Sequence, residues 1–418
     1  MDHVSTNIDK SRSPIIIPFL ILGMLATIGG LATIFALLHH GSNGTNGTGD
    51  AVPVVQGVGP TSFVGVGPLA VGETTLRLPS GAPVEVWYPA APDGYHGPAA
   101  TYDVKAYLPA SLKPLFVKVT ASTYPSGAIR NVPVADGAYP LVVFSHGFAG
   151  FRTQSTFLTS HLASWGFVVA APEHTDRDLT HVLSSTLSGS SSSGSMQSHD
   201  VTDLENTITL MGGQNSSGSS PFYQHLDMTR IGAVGHSAGG AAVEKLAVAD
   251  KQVKAFVGLA GASFGAFGQT STGPGSTVPS VPGLLEYGTN DKIVKPSSMV
   301  SAYNALKQPK RLISLTGAGH LVFSDICRIG TSQGGLVGLA HQAGLPIPST
   351  LVALGSDGCL PPDVSVTTVW PAIRQSVTAQ LRWALGFDPT QAGLENLTST
   401  FSGVVGVNTT AQTAPPAN

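Results

Sequence analysis

The sequence predicts an α/β fold, with a mostly parallel central sheet flanked by helices and an N-terminal transmembrane helix ahead of it. Short apolar runs rich in Val, Ile and Leu alternate with helical stretches through the middle of the chain, which is the pattern of a buried parallel sheet. One of these runs passes into a serine set among small residues, "IGAVGHSAGG". Near the start, 24 residues from Ile15 to Leu38 carry no charge.

That first run is about 36 Å long as a helix, enough to cross a bilayer. Lys10 and Arg12 precede it, and no Lys or Arg follows until Arg77. The positive-inside rule then puts residues 1–14 in the cytoplasm, the signal-anchor helix at 15–38 and the remainder outside the cell membrane. The alternative is secretion after cleavage of a signal peptide. Such peptides have an apolar core of about 7–15 residues and a small-residue cleavage site, and no clear A-x-A follows Leu38. Residues 39–66 read as a flexible Gly/Asn/Thr stalk. His39 and His40 lie in it without a metal-binding pattern. Sequons stand at Asn43, Asn46, Asn215, Asn396 and Asn408.

The folded domain is expected at 67–387. "TTLRLP" and "VEVWYPA" alternate like antiparallel edge strands. Buried strands follow in "PLVVFSHG", "FVVAAPEH", "RIGAVGHS", "VKAFVGLAGA", "PGLLEYGTND" and "RLISLTGAGH". Helices are expected at Ser155–Trp165, Val201–Met211, Ala238–Ala249, Ser297–Leu306 and Trp370–Leu385. Two insertions interrupt the alternation. Residues 102–133 carry apolar and aromatic side chains suited to covering a pocket, and 184–196 is a Ser/Gly-rich loop. The tail, 388–418, reads as disordered.

Apolar residues make up 42% of the chain and charged residues only 11%, with a net charge of −3. Without a basic cluster, nucleic acid is excluded as a partner. Outside the cell, Cys327 and Cys359 are expected to form a disulfide, worth roughly 3–4 kcal/mol for a loop of this length in the chain-entropy model.

Ser237 stands where a strand turns into a helix, in the pattern G-x-S-x-G. A strained turn there pushes the hydroxyl out of the sheet, and bulky neighbours would clash, hence Gly235 and Gly239. The helix start aims N–H groups and the positive dipole end at the site. Serine is a poor nucleophile at neutral pH and needs a base. His320, on the loop after "RLISLTGA", holds the position for it. His236 adjoins the serine on a tight turn from which side chains diverge, and the other histidines lie elsewhere. The acid that fixes the imidazole is expected to be Asp291, after "GLLEYGTN", with Asp325 as the rival. The order Ser237, Asp291, His320 is that of an α/β-hydrolase. The oxyanion donors are expected to be the N–H groups of Ala238 and of Phe148, whose side chain would line the acyl pocket.

"FSHGFAGFRTQSTFL", "GFVVAAPEHTDR", "GHSAGG", "GTNDKIV" and "GAGHLVFSD" resemble the plasma-type platelet-activating-factor acetylhydrolase family, within a wider group of cutinase-like esterases. The resemblance implies an α/β-hydrolase fold and a serine carboxylic-ester hydrolase that acts on short-acyl or lipid esters without a cofactor or metal. Ser237, Asp291 and His320 match its triad, and Phe148 and Ala238 its oxyanion donors. "EHTDR", Glu173–Arg177, matches a segment beside its site and reads here as a structural network. Ala238 is smaller than the Phe often found in that place, which implies a wider pocket. The expected protein is therefore a membrane-anchored, outward-facing esterase. The alternatives are a cutinase-like hydrolase of polyesters or long-chain lipids, and a catalytically idle surface-binding module.

Overall fold

Parallel strands place all their carboxyl ends on one edge, and that edge organises this molecule. A computed structural model describes residues 51–91, 97–119, 123–189, 199–263, 278–345 and 347–409. The expected anchor at 15–38 lies outside them. Among the described residues, no helix is long and apolar enough to cross a membrane.

Among the described residues, the sheet has 11 strands. In chain order they are β1 (Ala70–Arg77), β2 (Pro83–Ala90), β3 (Ala99–Asp103), β4 (Thr123–Arg130), β5 (Tyr139–Ser145), β6 (Val168–Pro172), β7 (Leu226–His236), β8 (Val253–Leu259), β9 (Gly283–Gly288), β10 (Lys310–Leu315) and β11 (Val405–Asn408). The spatial order is β11-β10-β9-β8-β7-β5-β6-β2-β1-β4-β3. Pairing is parallel throughout the block from β10 to β6. The β2–β6, β1–β2, β3–β4 and β10–β11 pairs are antiparallel, and β1–β4 is parallel.

Alternation along each strand feeds two cores, one on either face of the sheet. From β5, Val142 and Phe144 enter one core while Leu141 and Val143 enter the other. Helices α1 (Thr156–Ser164) and α8 (Val366–Ala384) cover the first face. Helices α3 (Asp200–Ser216), α4 (Ala238–Ala249) and α5 (Pro296–Ala305) cover the second. All five were expected from the sequence. Helices α2 (Leu179–Leu187), α6 (Gly335–Gln342), α7 (Ser349–Leu354) and the single turn α9 (Leu397–Thr400) were not.

The folded unit exceeds its expected bounds at both ends. Within the presumed stalk, Val52 and Phe63 are buried, and the Phe63 N–H donates to Gln375 Oε1 of α8 at 2.7 Å. Within the presumed tail, Asp388 pairs with buried Arg382 at 2.8 Å, and β11 closes one edge of the sheet. Isolated apolar residues in a Gly- and Thr-rich stretch give no periodic signal, yet one buried aromatic suffices to dock it. The insertion at 102–133 contains β4, and the loop expected from Ser184 begins as the end of α2. Cys327 and Cys359 form the expected disulfide. Asn215 and Asn408 tie their side-chain amides into the fold, on Leu226 and Leu394 respectively.

Candidate active site

Four loops at the carboxyl edge of the sheet converge on Ser237. The residue sits between β7 and α4 with φ 57° and ψ −121°, a left-handed conformation that costs a non-glycine residue of order 1–3 kcal/mol. The turn is tight enough to dictate its neighbours. A Cβ on Gly235 would stand 2.1 Å from the Gly239 carbonyl oxygen, and one on Gly239 would stand 2.0 Å from that of Ser145. Any side chain at either position would therefore force the turn apart.

The three residues expected to act together do meet. His320 Nε2 lies 2.8 Å from Ser237 Oγ, and His320 Nδ1 lies 2.8 Å from Asp291 Oδ2. The carboxylate fixes the tautomer: Nδ1–H donates to Asp291, which leaves Nε2 to accept the serine proton. Asp291 is itself held by the N–H groups of Ile293 and Val294, at 2.8 and 2.7 Å on Oδ1. All three side chains are buried from bulk water, and Ser237 and His320 open onto a cavity of about 140 Å³. The rival Asp325 serves elsewhere. Its carboxylate accepts from Thr156 Oγ1 at 2.6 Å and from the Phe157 N–H at 3.1 Å at the start of α1, and burial lifts its pKa to about 6.

The expected oxyanion donors flank the serine. Ala238 opens α4, so its N–H has no intrahelical acceptor. Phe148 follows Gly147, whose Cβ position lies 3.3 Å from Ser237 Cβ, and its side chain lines the cavity. Planarity of the Gly147–Phe148 peptide sets the direction of the Phe148 N–H. The Gly147 carbonyl accepts from His146 Nδ1 at 2.8 Å, Arg177 Nη1 at 2.7 Å and the Gly150 N–H at 3.1 Å. With the oxygen held on that buried side, the trans peptide turns the Phe148 N–H away from it.

Sequence reasoning missed the residues that hold these parts together. Gln154 Oε1 accepts from the Gly147 N–H at 3.1 Å, while Gln154 Nε2 donates to His236 Nδ1 at 3.0 Å. His236 Nε2 then donates to the His320 carbonyl at 3.1 Å. This chain links the loop carrying Phe148 to the loop carrying the base. Burial, reinforced by the neighbouring His320 imidazole, drives the His236 pKa well below the usual histidine value, so the ring is neutral. Asp357 does the same between base and acid, its Oδ2 accepting from the N–H groups of His320 (2.8 Å) and Lys292 (3.2 Å). The signals for Gln154 and Asp357 are tertiary. His236 was visible, but its outward divergence from the serine made it look idle.

The "EHTDR" segment forms a network of protein contacts. Glu173 pairs with Arg152 at 2.8 Å, and Asp176 accepts from the His199 N–H at 3.0 Å. His174 bridges Ser145 Oγ (2.9 Å) and Asp203 (3.0 Å), and Arg177 pairs with Asp200 at 2.8 Å.

A serine on a strained strand-to-helix turn, bonded to a carboxylate-fixed histidine, is an arrangement built for acyl transfer. Residues 82–205 match the family model for platelet-activating factor acetylhydrolase, isoform II. The chain resembles that family. Segments are similar to the platelet-activating factor acetylhydrolases of Cavia porcellus (37% identical over 97 residues, 22% of this chain and 20% of that one) and Canis lupus familiaris (53% over 47 residues, 11% of each). The chain thus spans about a fifth or less of the length of the curated relatives it matches. The family match ends before Ser237, so the case for the triad rests on its own geometry. A ferulic acid esterase from Streptomyces cinnamoneus shares the fold, with a TM-score of 0.57 and 23% identity over 83% of this chain and 98% of that one.

Proposed function

We propose that the protein is a serine carboxylic-ester hydrolase working through an acyl-enzyme on Ser237. The observation that carries this reading is the unbroken bonding line from Asp291 through His320 to Ser237, with both links 2.8 Å long. His320 Nε2 takes the hydroxyl proton as Ser237 Oγ attacks the ester carbonyl. The oxyanion is received by the N–H groups of Phe148 and Ala238. The imidazolium, stabilised by Asp291, returns its proton to the leaving alcohol. Water then enters by the same base catalysis and releases the acid. No step calls for a metal or cofactor. The uncharged run Ile15–Leu38, with Lys10 and Arg12 before it, supports a catalytic domain held outside the cell membrane.

Ser237→Ala removes the attacking atom and leaves the surrounding packing intact. Hydrolysis of p-nitrophenyl esters should fall by about 10⁴-fold or more in kcat, with an unchanged circular dichroism spectrum. Turnover by that variant at the wild-type rate rejects the mechanism.

A further inference from the structure

We infer that the cavity beside Ser237 selects esters of medium-chain aliphatic acids, hexanoyl to octanoyl, ahead of both acetyl and long-chain esters. The inference rests on the serine-esterase reading and adds to it a substrate class. The cavity that Ser237 and His320 share is walled by aliphatic and aromatic side chains from three separate segments. Leu108 and Phe116 come from the insertion after β3, Leu183 comes from α2, and Leu336, Ala340 and Leu351 come from α6 and α7. A chain without polar groups is the occupant such walls reward.

The volume sets the length. The cavity measures about 140 Å³, close to the ~150 Å³ apolar cavity that takes one benzene, a molecule of six carbons. With the ester carbonyl held at Ser237, that leaves room for about six further carbons. Each methylene that enters should raise kcat/KM by about fourfold, the equivalent of ~0.8 kcal/mol per buried CH₂. An acetyl group leaves the walls uncovered, and a chain longer than the cavity puts its excess into water, where it gains nothing. The wall that α6 and α7 contribute is pinned rather than loose. The segment bearing α6 and α7 lies between Cys327 and Cys359, whose disulfide closes it into a loop, and Asp357 ties its end to the His320 N–H.

The test is kcat/KM of the full chain on p-nitrophenyl acetate, butyrate, hexanoate, octanoate, decanoate and dodecanoate, each below its aggregation concentration. The expected profile climbs by about 100-fold or more from acetate to octanoate and then levels or falls. Ala340→Phe, which fills the cavity from α6, should lower the octanoate-to-acetate ratio by about tenfold or more. The proposal is overturned by a maximum at acetate, by a climb that continues through dodecanoate, or by an Ala340→Phe profile that superimposes on the wild type. Failure to hydrolyse any of the six esters overturns the esterase reading itself.

Discussion

Among the described residues there are two Ser–His–Asp lines, and only one of them has the surroundings of a catalyst. In the first, Ser237, His320 and Asp291 are linked by contacts of 2.8 Å. In the second, Ser145 Oγ lies 2.9 Å from His174 Nε2, and His174 Nδ1 lies 3.0 Å from Asp203. Distances alone do not separate them. Ser237 occupies a strained turn, with the first N–H of α4 beside it and a cavity in front. Ser145 ends the regular strand β5, is fully buried, and accepts from Arg177 Nη2 at 3.1 Å. Access, backbone strain and oxyanion donors therefore make the nucleophile, and the hydrogen-bonded line only equips it. The second line has a different use. Together with Arg177 and His146 it fixes the loop after β5, and so the direction of the Phe148 N–H. In the proposed mechanism one network performs the chemistry and the other aims a part of it.

The sharpest way to break this comparison is to make the same change in both lines. Asp291→Asn leaves His320 in place but withdraws the charge that stabilises the imidazolium, so kcat should drop by about 10⁴-fold. Asp203→Asn still accepts from His174 Nδ1–H, and no cation forms there, so the expected loss is less than about tenfold. Steady-state kinetics on one ester measures both. Equal losses in the two variants would mean that the buried line takes part in proton transfer.

A smaller effect sharpens the aiming role. Arg177 sends Nη1 to the carbonyls of His146 and Gly147, Nη2 to Ser145 and Nε to Asp200. Arg177→Lys keeps the charge but cannot reproduce this fork. The oxyanion matters more in the transition state than in the bound ester, so kcat should fall by about 10- to 100-fold while KM moves by less than about threefold. A change confined to KM would show that Arg177 shapes substrate binding and leaves the oxyanion donor alone.

These two networks were unequally legible in the sequence, for physical reasons. Buried parallel strands are continuous apolar runs, so β5 to β10 could be read directly, and the candidate catalytic residues follow from where those runs end. Ser237 also carries a steric signature, because its turn excludes side chains at Gly235 and Gly239. Short strands and strands broken by Pro and Gly carry no such signal. β4, "TYPSGAIR", holds Pro, Ser and Gly, and β11 is four residues long. The buried line was concealed by its parts coming from β5, the β6 loop and α3. Gln154 and His236 stand 82 residues apart, and their contact exists only once β7 lies beside β5.

The smallest expected effect concerns protons and tests the difference between the two histidines' neighbourhoods. Burial, followed by the nearby charge of Arg177, lowers the His174 pKa from 6.5. Its folded value is thus below its unfolded value, so the neutral ring contributes stability above about pH 6.5, and this is lost as pH falls through the folded pKa. Burial moves several carboxyls the opposite way, Glu286 to about 8 and Glu173 to about 7. Their contribution is present at low pH and lost as pH rises, which flattens the total profile and hides any one histidine. A difference between variants removes that background. The stability gap between wild type and His174→Gln, from urea unfolding, should shrink as pH falls below about 6.5. A gap that stays constant down to pH 5 would mean that His174 accepts a proton inside the fold, as a catalytic base must. The two lines would then differ in access, backbone strain and oxyanion donors, and not in the capacity of the histidine to take a proton.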